Sequence, residues 1–196
     1  MKYLGAILGL ATASNAIDIR FWHQDPGCRV GTYTACVNAK PNVCCYLPAG
    51  VAWGQGVSYE PLPLTWKLEV RMYRNDNCNP NAQVSYPTYG FSDECIPAWL
   101  ATPAGSAGYG FLDKIPKRDS VEESANSTQA CTSRQQVDTM GFADGSQYNI
   151  TGFSADMYSE LLDFATGNKR MAELPEELRA LRLPHNVKES KRVRSS

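Results

Sequence analysis

The residues that most restrict how this chain can fold are its seven cysteines, Cys28, Cys36, Cys44, Cys45, Cys78, Cys95 and Cys131. None of their spacings is C-x-x-C or C-x-x-x-x-C, so paired zinc ligands are not expected. All seven are instead disulfide candidates, and cross-links worth ~2 to 5 kcal/mol each would supplement a modest core. Neighbours in a doublet point in different directions, so Cys44 and Cys45 are expected to staple two different segments to one strand end. The odd count leaves one thiol over, and the sequence leaves its identity and the pairing of the other six open. A hydrophobin would carry eight cysteines in two doublets; seven cysteines with a single doublet exclude that family.

Oxidised cysteines imply an extracellular route, and the N-terminus supplies one. Lys2 is followed by an uncharged apolar stretch from Tyr3 to Ala13, and Ser14-Asn15-Ala16 places small residues where a signal peptidase reads. Residues 1–16 are therefore expected to be a signal peptide cleaved after Ala16, with Ala13 as the alternative point, and the mature protein to be secreted. The apolar stretch is too short to cross a bilayer ~30 Å thick, and no later window is long enough, so no membrane span is expected. The formal net charge is −1 with only two histidines, which argues against nucleic-acid binding through phosphate contacts.

Composition divides the mature chain. Aromatic residues and six of the seven cysteines crowd the stretch 17–112, expected as a disulfide-rich β domain. Residues 113–147 turn polar and small and read as an exposed loop or linker. Residues 148–183 read as a helical segment. In it Ser154 caps a helix carrying Met157, Tyr158, Leu161, Leu162 and Ala165 up to a stop at Gly167, and a second short helix runs from Pro175 to Arg182. Residues 184–196 read as a basic disordered tail. Four leucines make at most a narrow stripe after Arg170, so the chain beyond it is expected to be dispensable to the β core.

Within the β domain, Ile17-Asp18-Ile19-Arg20-Phe21-Trp22 and Leu68-Glu69-Val70-Arg71-Met72-Tyr73 alternate apolar and polar residues and end on two apolar ones. Each runs into a turn cluster that closes on a cysteine, Gln24-Asp25-Pro26-Gly27-Cys28 and Asn75-Asp76-Asn77-Cys78. Laid together, Arg20 falls on Arg71, Trp22 on Tyr73 and, after one deletion, Cys28 on Cys78. This is an internal repeat of two β-motifs packed into one sandwich. A strand ending in aromatics, an Asp/Asn-rich turn and a short arm into the next strand resembles the Greek-key unit of βγ-crystallin-like domains, the fold of small secreted killer toxins and antimicrobial proteins. The run from Ile19-Arg20-Phe21-Trp22 through Cys44-Cys45 to the Leu-Pro-Glu-Glu-Leu tail is also similar to small secreted cysteine-rich fungal proteins. The resemblance implies an α+β chain: a mainly antiparallel Greek-key sandwich, stapled by disulfides, with C-terminal helices. Calcium-binding members of that fold carry paired Asn/Asp residues followed by Ser/Thr; no such copy occurs here, so no metal is carried over.

Catalytic constellations are thin. Ser-His-Asp or Cys-His chemistry needs a positioned imidazole; His23 lies at a turn and reads as exposed, and His185 lies in the basic tail. Paired-carboxylate hydrolysis has only a generic set in Glu60, Glu69, Asp93, Glu94 and Asp113, and no phosphate loop or nucleophile elbow is present. No catalytic residue, cofactor or metal ligand is assigned. Aromatic faces offer a binding reading, because a ring packs on the apolar side of a pyranose. Among Trp53, Trp66, Trp99, Tyr86, Tyr89 and Tyr109, the turn-like run Tyr86-Pro87-Thr88-Tyr89-Gly90 and Trp99 are the candidates for exposure, with Trp66 expected in the core. Asn126 and Asn149 head glycosylation sequons. Lys-Arg pairs ending at Arg118 and Arg170 fall at element boundaries where a secretory protease cuts. These features favour a secreted non-enzymatic protein of the effector, toxin or defence type acting on an extracellular protein or glycan. A carbohydrate- or cell-wall-binding module is the alternative, and an acidic-residue hydrolase the second.

Overall fold

The computed structural model describes residues 16–75, 77–79, 83–98, 103–112 and 131–184. Eight strands, β1 (Ile17–Trp22), β2 (Tyr33–Ala39), β3 (Val43–Tyr46), β4 (Gly56–Glu60), β5 (Lys67–Tyr73), β6 (Gln83–Tyr89), β7 (Glu94–Pro97) and β8 (Ser106–Phe111), are followed by β9 (Ser133–Gln136), β10 (Thr139–Gly141) and β11 (Gln147–Asn149). Helices α1 (Ala155–Ala165) and α2 (Glu176–Arg179) close the described chain. The strands form two mostly antiparallel sheets, one in the order β11-β10-β2-β1-β4-β7 and the other β6-β5-β8-β3-β9. Between them lies one apolar core, into which the alternation of the sequence sends Ile17, Ile19 and Phe21 from the first sheet and Leu68, Val70 and Met72 from the second.

The internal repeat extends well beyond the two strands that reveal it. Strands of the first half start at 17, 33, 43 and 56 and those of the second at 67, 83, 94 and 106, each 50 or 51 residues later. In both halves the first, second and fourth strands lie in one sheet, while the third crosses to the other: β3 beside β8, β7 beside β4. Registers repeat as well. Trp22 faces Gly56 as Tyr73 faces Ser106, and Trp22 faces Tyr33 as Tyr73 faces Gln83. Gly54 and Ala104 form an antiparallel bridge where the two halves meet.

The turns that close on cysteine also match in chemistry. The Asp25 carboxylate accepts hydrogen bonds from the backbone N–H groups of Gly27 at 2.8 Å, Arg29 at 2.8 Å and Val30 at 3.0 Å. Those bonds, Arg29's foremost, hold its carboxyl below the usual carboxylate range. Asn75 Oδ1 accepts from Asn77 N at 3.4 Å and Asn79 N at 3.3 Å. Each cap turns the chain so tightly that the cysteine takes a left-handed backbone, with φ of 57° at Cys28 and 51° at Cys78. Gly56 and Gly105 allow the turns to lie on the neighbouring strand: a Cβ on Gly56 would stand 2.8 Å from Pro26 O, and one on Gly105 2.8 Å from the Asn75 carbonyl carbon.

Three expectations need correction. Residues 133–136 and 139–141, read as part of a polar linker, are strands: β9 runs parallel to β3, and β10 pairs with β2. The strands are short and β9 is wholly polar (Ser-Arg-Gln-Gln), so strand pairing rather than local propensity decides them; Val137 between them, Met140 within β10 and Phe142 after it are buried. The rest of that linker, 113–130, lies outside the described residues, as do residues 185–196 of the tail. Tyr86-Pro87-Thr88-Tyr89, read as a turn, belongs to β6, an outer strand of its sheet that tolerates a proline because one edge is unpaired. The chain after Arg170 is packed: Leu174 and Leu178 join the main core, Asn149 N donates to Leu181 O, and Leu183 N donates to Gln147 O. The segment thereby covers the free edge of β11.

Candidate functional site

Three disulfides join Cys28 to Cys95, Cys36 to Cys45 and Cys44 to Cys78, leaving Cys131 as the thiol. The doublet behaves as its geometry demands. Cys45 points inward and ties β3 to β2 across the sheets, whereas Cys44 points outward and ties β3 to the turn after β5. Two of the bridges are equivalents in the repeat, because Cys28–Cys95 and Cys78–Cys44 each link the turn after a first strand to the third strand of the other half.

Around Cys44–Cys78 the second sheet carries a small outer cluster of Cys44, Tyr73 and Cys78 with Tyr46 and Cys131 against it. The sulfurs of Cys44, Cys78 and Cys131 all lie within 4.8 Å of one another. Arg71 sits on this same face and is 0% exposed. Its Nη2 donates to Asn42 Oδ1 at 2.9 Å, and its Nε lies 3.9 Å from Glu69 Oε2. Burial pushes the Cys131 thiol above its ordinary value, while the Arg71 charge and a hydrogen bond with Tyr73 pull it back. Burial likewise raises the Tyr73 hydroxyl. This cluster is the one place among the described residues where a nucleophile, a cation and an electrophilic disulfide meet. The cysteine count announces a spare thiol, but the pairing that sets it beside a disulfide depends on β9 folding back along β3.

His23 is not the exposed turn residue the sequence suggests. Its Nε2 lies 3.1 Å from Thr34 Oγ1 and 3.1 Å from Tyr158 OH, which are themselves 3.0 Å apart. Its Nδ1 is buried with no hydrogen-bond partner among the described residues. Desolvation lowers its pKa to about 4. The cluster fastens α1 to β1 and β2, supported by Thr32 Oγ1 donating to Ala165 O at 2.5 Å. Helix capping by Ser154, whose Oγ accepts from Met157 N, and the left-handed Gly167 end α1 where the sequence places its limits.

The candidate ligand aromatics do not form one platform. Tyr86 is 38% exposed and Tyr89 67%, but odd spacing puts them on opposite faces of β6. Phe91, two residues after Tyr89 in sequence, is also exposed, at 60%. Tyr109 is core, with its hydroxyl donating to Ala39 O at 2.9 Å, and Trp66 is partly buried against Phe111 at 5.0 Å. Among the carboxylates, Glu60 accepts from Ser58 and pairs with Arg20 at 3.0 Å, Glu94 accepts from Thr88, and Asp93 accepts from Ser92. Trp99, Asn126, Arg118 and Asp113 lie outside the described residues. Asn149 is exposed at the end of β11, its Oδ1 accepting from Thr151 N at 2.9 Å. Arg170 is exposed after α1, where it pairs with Glu173, and Ala16 precedes β1 directly.

No curated protein and no solved structure matches the chain. A family model does. The match runs over residues 18–140 and so takes in both halves of the repeat, all three disulfides and Cys131. With more than half its length matched to that model, the chain belongs to the ARB_05566_N family of N-terminal domains.

Proposed function

We propose that this is a secreted, non-enzymatic protein acting outside the cell, of the effector, toxin or defence type, built on two Greek-key units of the βγ-crystallin kind. The observation that carries the reading is the disulfide framework. Two repeat-equivalent bridges tie each half's turn to the strand lent by the other half, and the third crosses the core. Such cross-linking persists in oxidising compartments. The exchange of third strands between halves supports the Greek-key assignment, since that connection returns a strand over the partner sheet. No helix among the described residues is long and apolar enough to cross a membrane. Signal cleavage after Ala16 leaves β1 whole, and glycosylation at Asn149 and dibasic cleavage after Arg170 use exposed positions.

The full chain expressed through a eukaryotic secretory route should appear in the medium beginning at Ile17, with three disulfides by mass and without hydrolytic activity on polysaccharide or peptide panels. Retention in the cell, or hydrolysis lost in a Glu94→Gln variant, would overturn the reading. A second reading, carbohydrate binding, is favoured by exposed Tyr89 and Phe91. It predicts glycan-array signals that disappear in Tyr89→Ala.

A further inference from the structure

Cys131 is a thiol placed against an existing disulfide, and its surroundings suit sulfur exchange better than storage. The three sulfurs lie within 4.8 Å of one another. Backbone registration brings Cys131 there without strain of its own: β9 runs parallel to β3, with Cys44 beside Arg134, and Thr132 N donates to Asn42 O at 2.8 Å. A bridge between Cys44 and Cys131 would therefore join two chain segments that are already hydrogen-bonded neighbours.

We propose that the cross-link at this site is exchangeable, the Cys131 thiolate attacking Cys44 Sγ to form a Cys44–Cys131 disulfide and release Cys78. One S–S bond forms and one breaks, and the electron pair leaves on Cys78, which takes up a proton equivalent to the one Cys131 gave up. No external oxidant or reductant is needed. Cys78 is the leaving sulfur because of what carries it. Cys44 is fixed in the middle of β3, between β8 and β9, whereas Cys78 sits in the turn after β5 with a left-handed φ of 51°. That turn lies outside both sheets and is held by bonds to the side chains of Asn75 and Ser106, so it can shift where β3, paired on both edges, cannot. The Arg71 guanidinium, a positive charge on the same face, stabilises the thiolate formed at either end of the exchange, and Tyr73 hydrogen-bonds to the attacking sulfur.

The molecule contains its own comparison. Cys28–Cys95 is the repeat-equivalent bridge, with the same left-handed cysteine in the same kind of turn, and all seven cysteines are accounted for without a third sulfur near it. Exchange is thus expected in one half of the repeat and not in the other.

The test is disulfide mapping of the full secreted chain, incubated between pH 5 and 9, quenched in acid, alkylated and digested without reduction. Two populations are expected, one with Cys131 alkylated and Cys44–Cys78 intact, the other with Cys78 alkylated and Cys44 joined to Cys131. The approach to this mixture should quicken about tenfold per pH unit while the thiol remains mostly protonated. Cys131→Ser should give a single map. Cys78→Ser should be secreted with a Cys44–Cys131 bridge. A native chain alkylated at Cys131 alone across the whole range would overturn the proposal, as would a Cys78→Ser protein bearing two free thiols. Scrambling of Cys28–Cys95 or Cys36–Cys45 at the same rate would also overturn it, by showing general unfolding rather than local exchange.

Discussion

Replacing Leu178 or Leu174 by alanine tests whether the C-terminal segment is part of the folded unit. Leu178 is 6% exposed and Leu174 2%, and both belong to the core cluster that includes α1 and the first sheet. The chain stays intact in these variants, so no ordering entropy is recovered. What is lost is the transfer of three heavy atoms from water and the contacts around the space they vacate, about 2–5 kcal/mol for each leucine. For a chain of this size ~1 kcal/mol moves the melting temperature by about 2–4 °C. Each variant should therefore melt roughly 4–20 °C below the parent by differential scanning calorimetry with disulfides intact. Truncation after Arg170 removes both leucines together with the backbone bonds to Gln147 and Asn149, and the shortened chain too should lose stability beyond ~8 °C. As a control, Leu64→Ala, at an exposed position, should melt within about 2 °C of the parent. If Leu178→Ala and Leu174→Ala also fall within that margin, the segment does not dock as described, and the chain beyond Arg170 is an appendage.

Acid should weaken the anchoring of α1. The folded pKa of His23, about 4, lies below its ordinary 6.5, so the unfolded chain binds the extra proton first. Stability from this group is complete above pH 6.5 and is lost between pH 6.5 and about 4, by up to roughly 3 kcal/mol. Urea titrations across that range should show the loss, and His23→Gln should flatten the profile. Arg71→Met should cost about 3–5 kcal/mol in urea unfolding, since it leaves Glu69 and Asn42 without the buried cation they face; a neutral result would show that apolar packing replaces the pair. Gly56→Ala and Gly105→Ala should each destabilise by about 1–3 kcal/mol in urea unfolding, because the added Cβ would collide at 2.8 Å with the backbone of the turn that lies on it.

Much of the architecture was legible because it is written in short-range pattern. Alternation fixes which residues of β1 and β5 face the core, whatever lies opposite. The Asp/Asn turn chemistry is local too, since Asp25 and Asn75 bond to backbone groups only two to five residues away. So the repeat could be seen in two strands and two turns, although its full extent could not. β3 and β7 share little beyond Cys44 and Cys95, and their equivalence lies in where they pair. Helix α1 was readable from Ser154, its apolar spacing and Gly167 for the same local reason.

What the sequence by itself determined is which residues of β1 and β5 face inward, the two turns that close on Cys28 and Cys78, the limits of α1, and the odd cysteine. Only the tertiary structure decided which sulfurs meet, that β9 and β10 are strands, that His23 is enclosed by Thr34 and Tyr158, and that Tyr86 and Tyr89 face apart. The physical reason is distance along the chain. Thr34 lies 124 residues from Tyr158, and Cys131 approaches a bridge whose ends are themselves 34 residues apart. Propensity and periodicity act within a turn or a strand, whereas these contacts depend on which edges of two sheets remain open once the core has formed. The same limit explains the C-terminal leucines: their stripe is narrow by itself and is buried because β11 leaves an edge for the chain to cover.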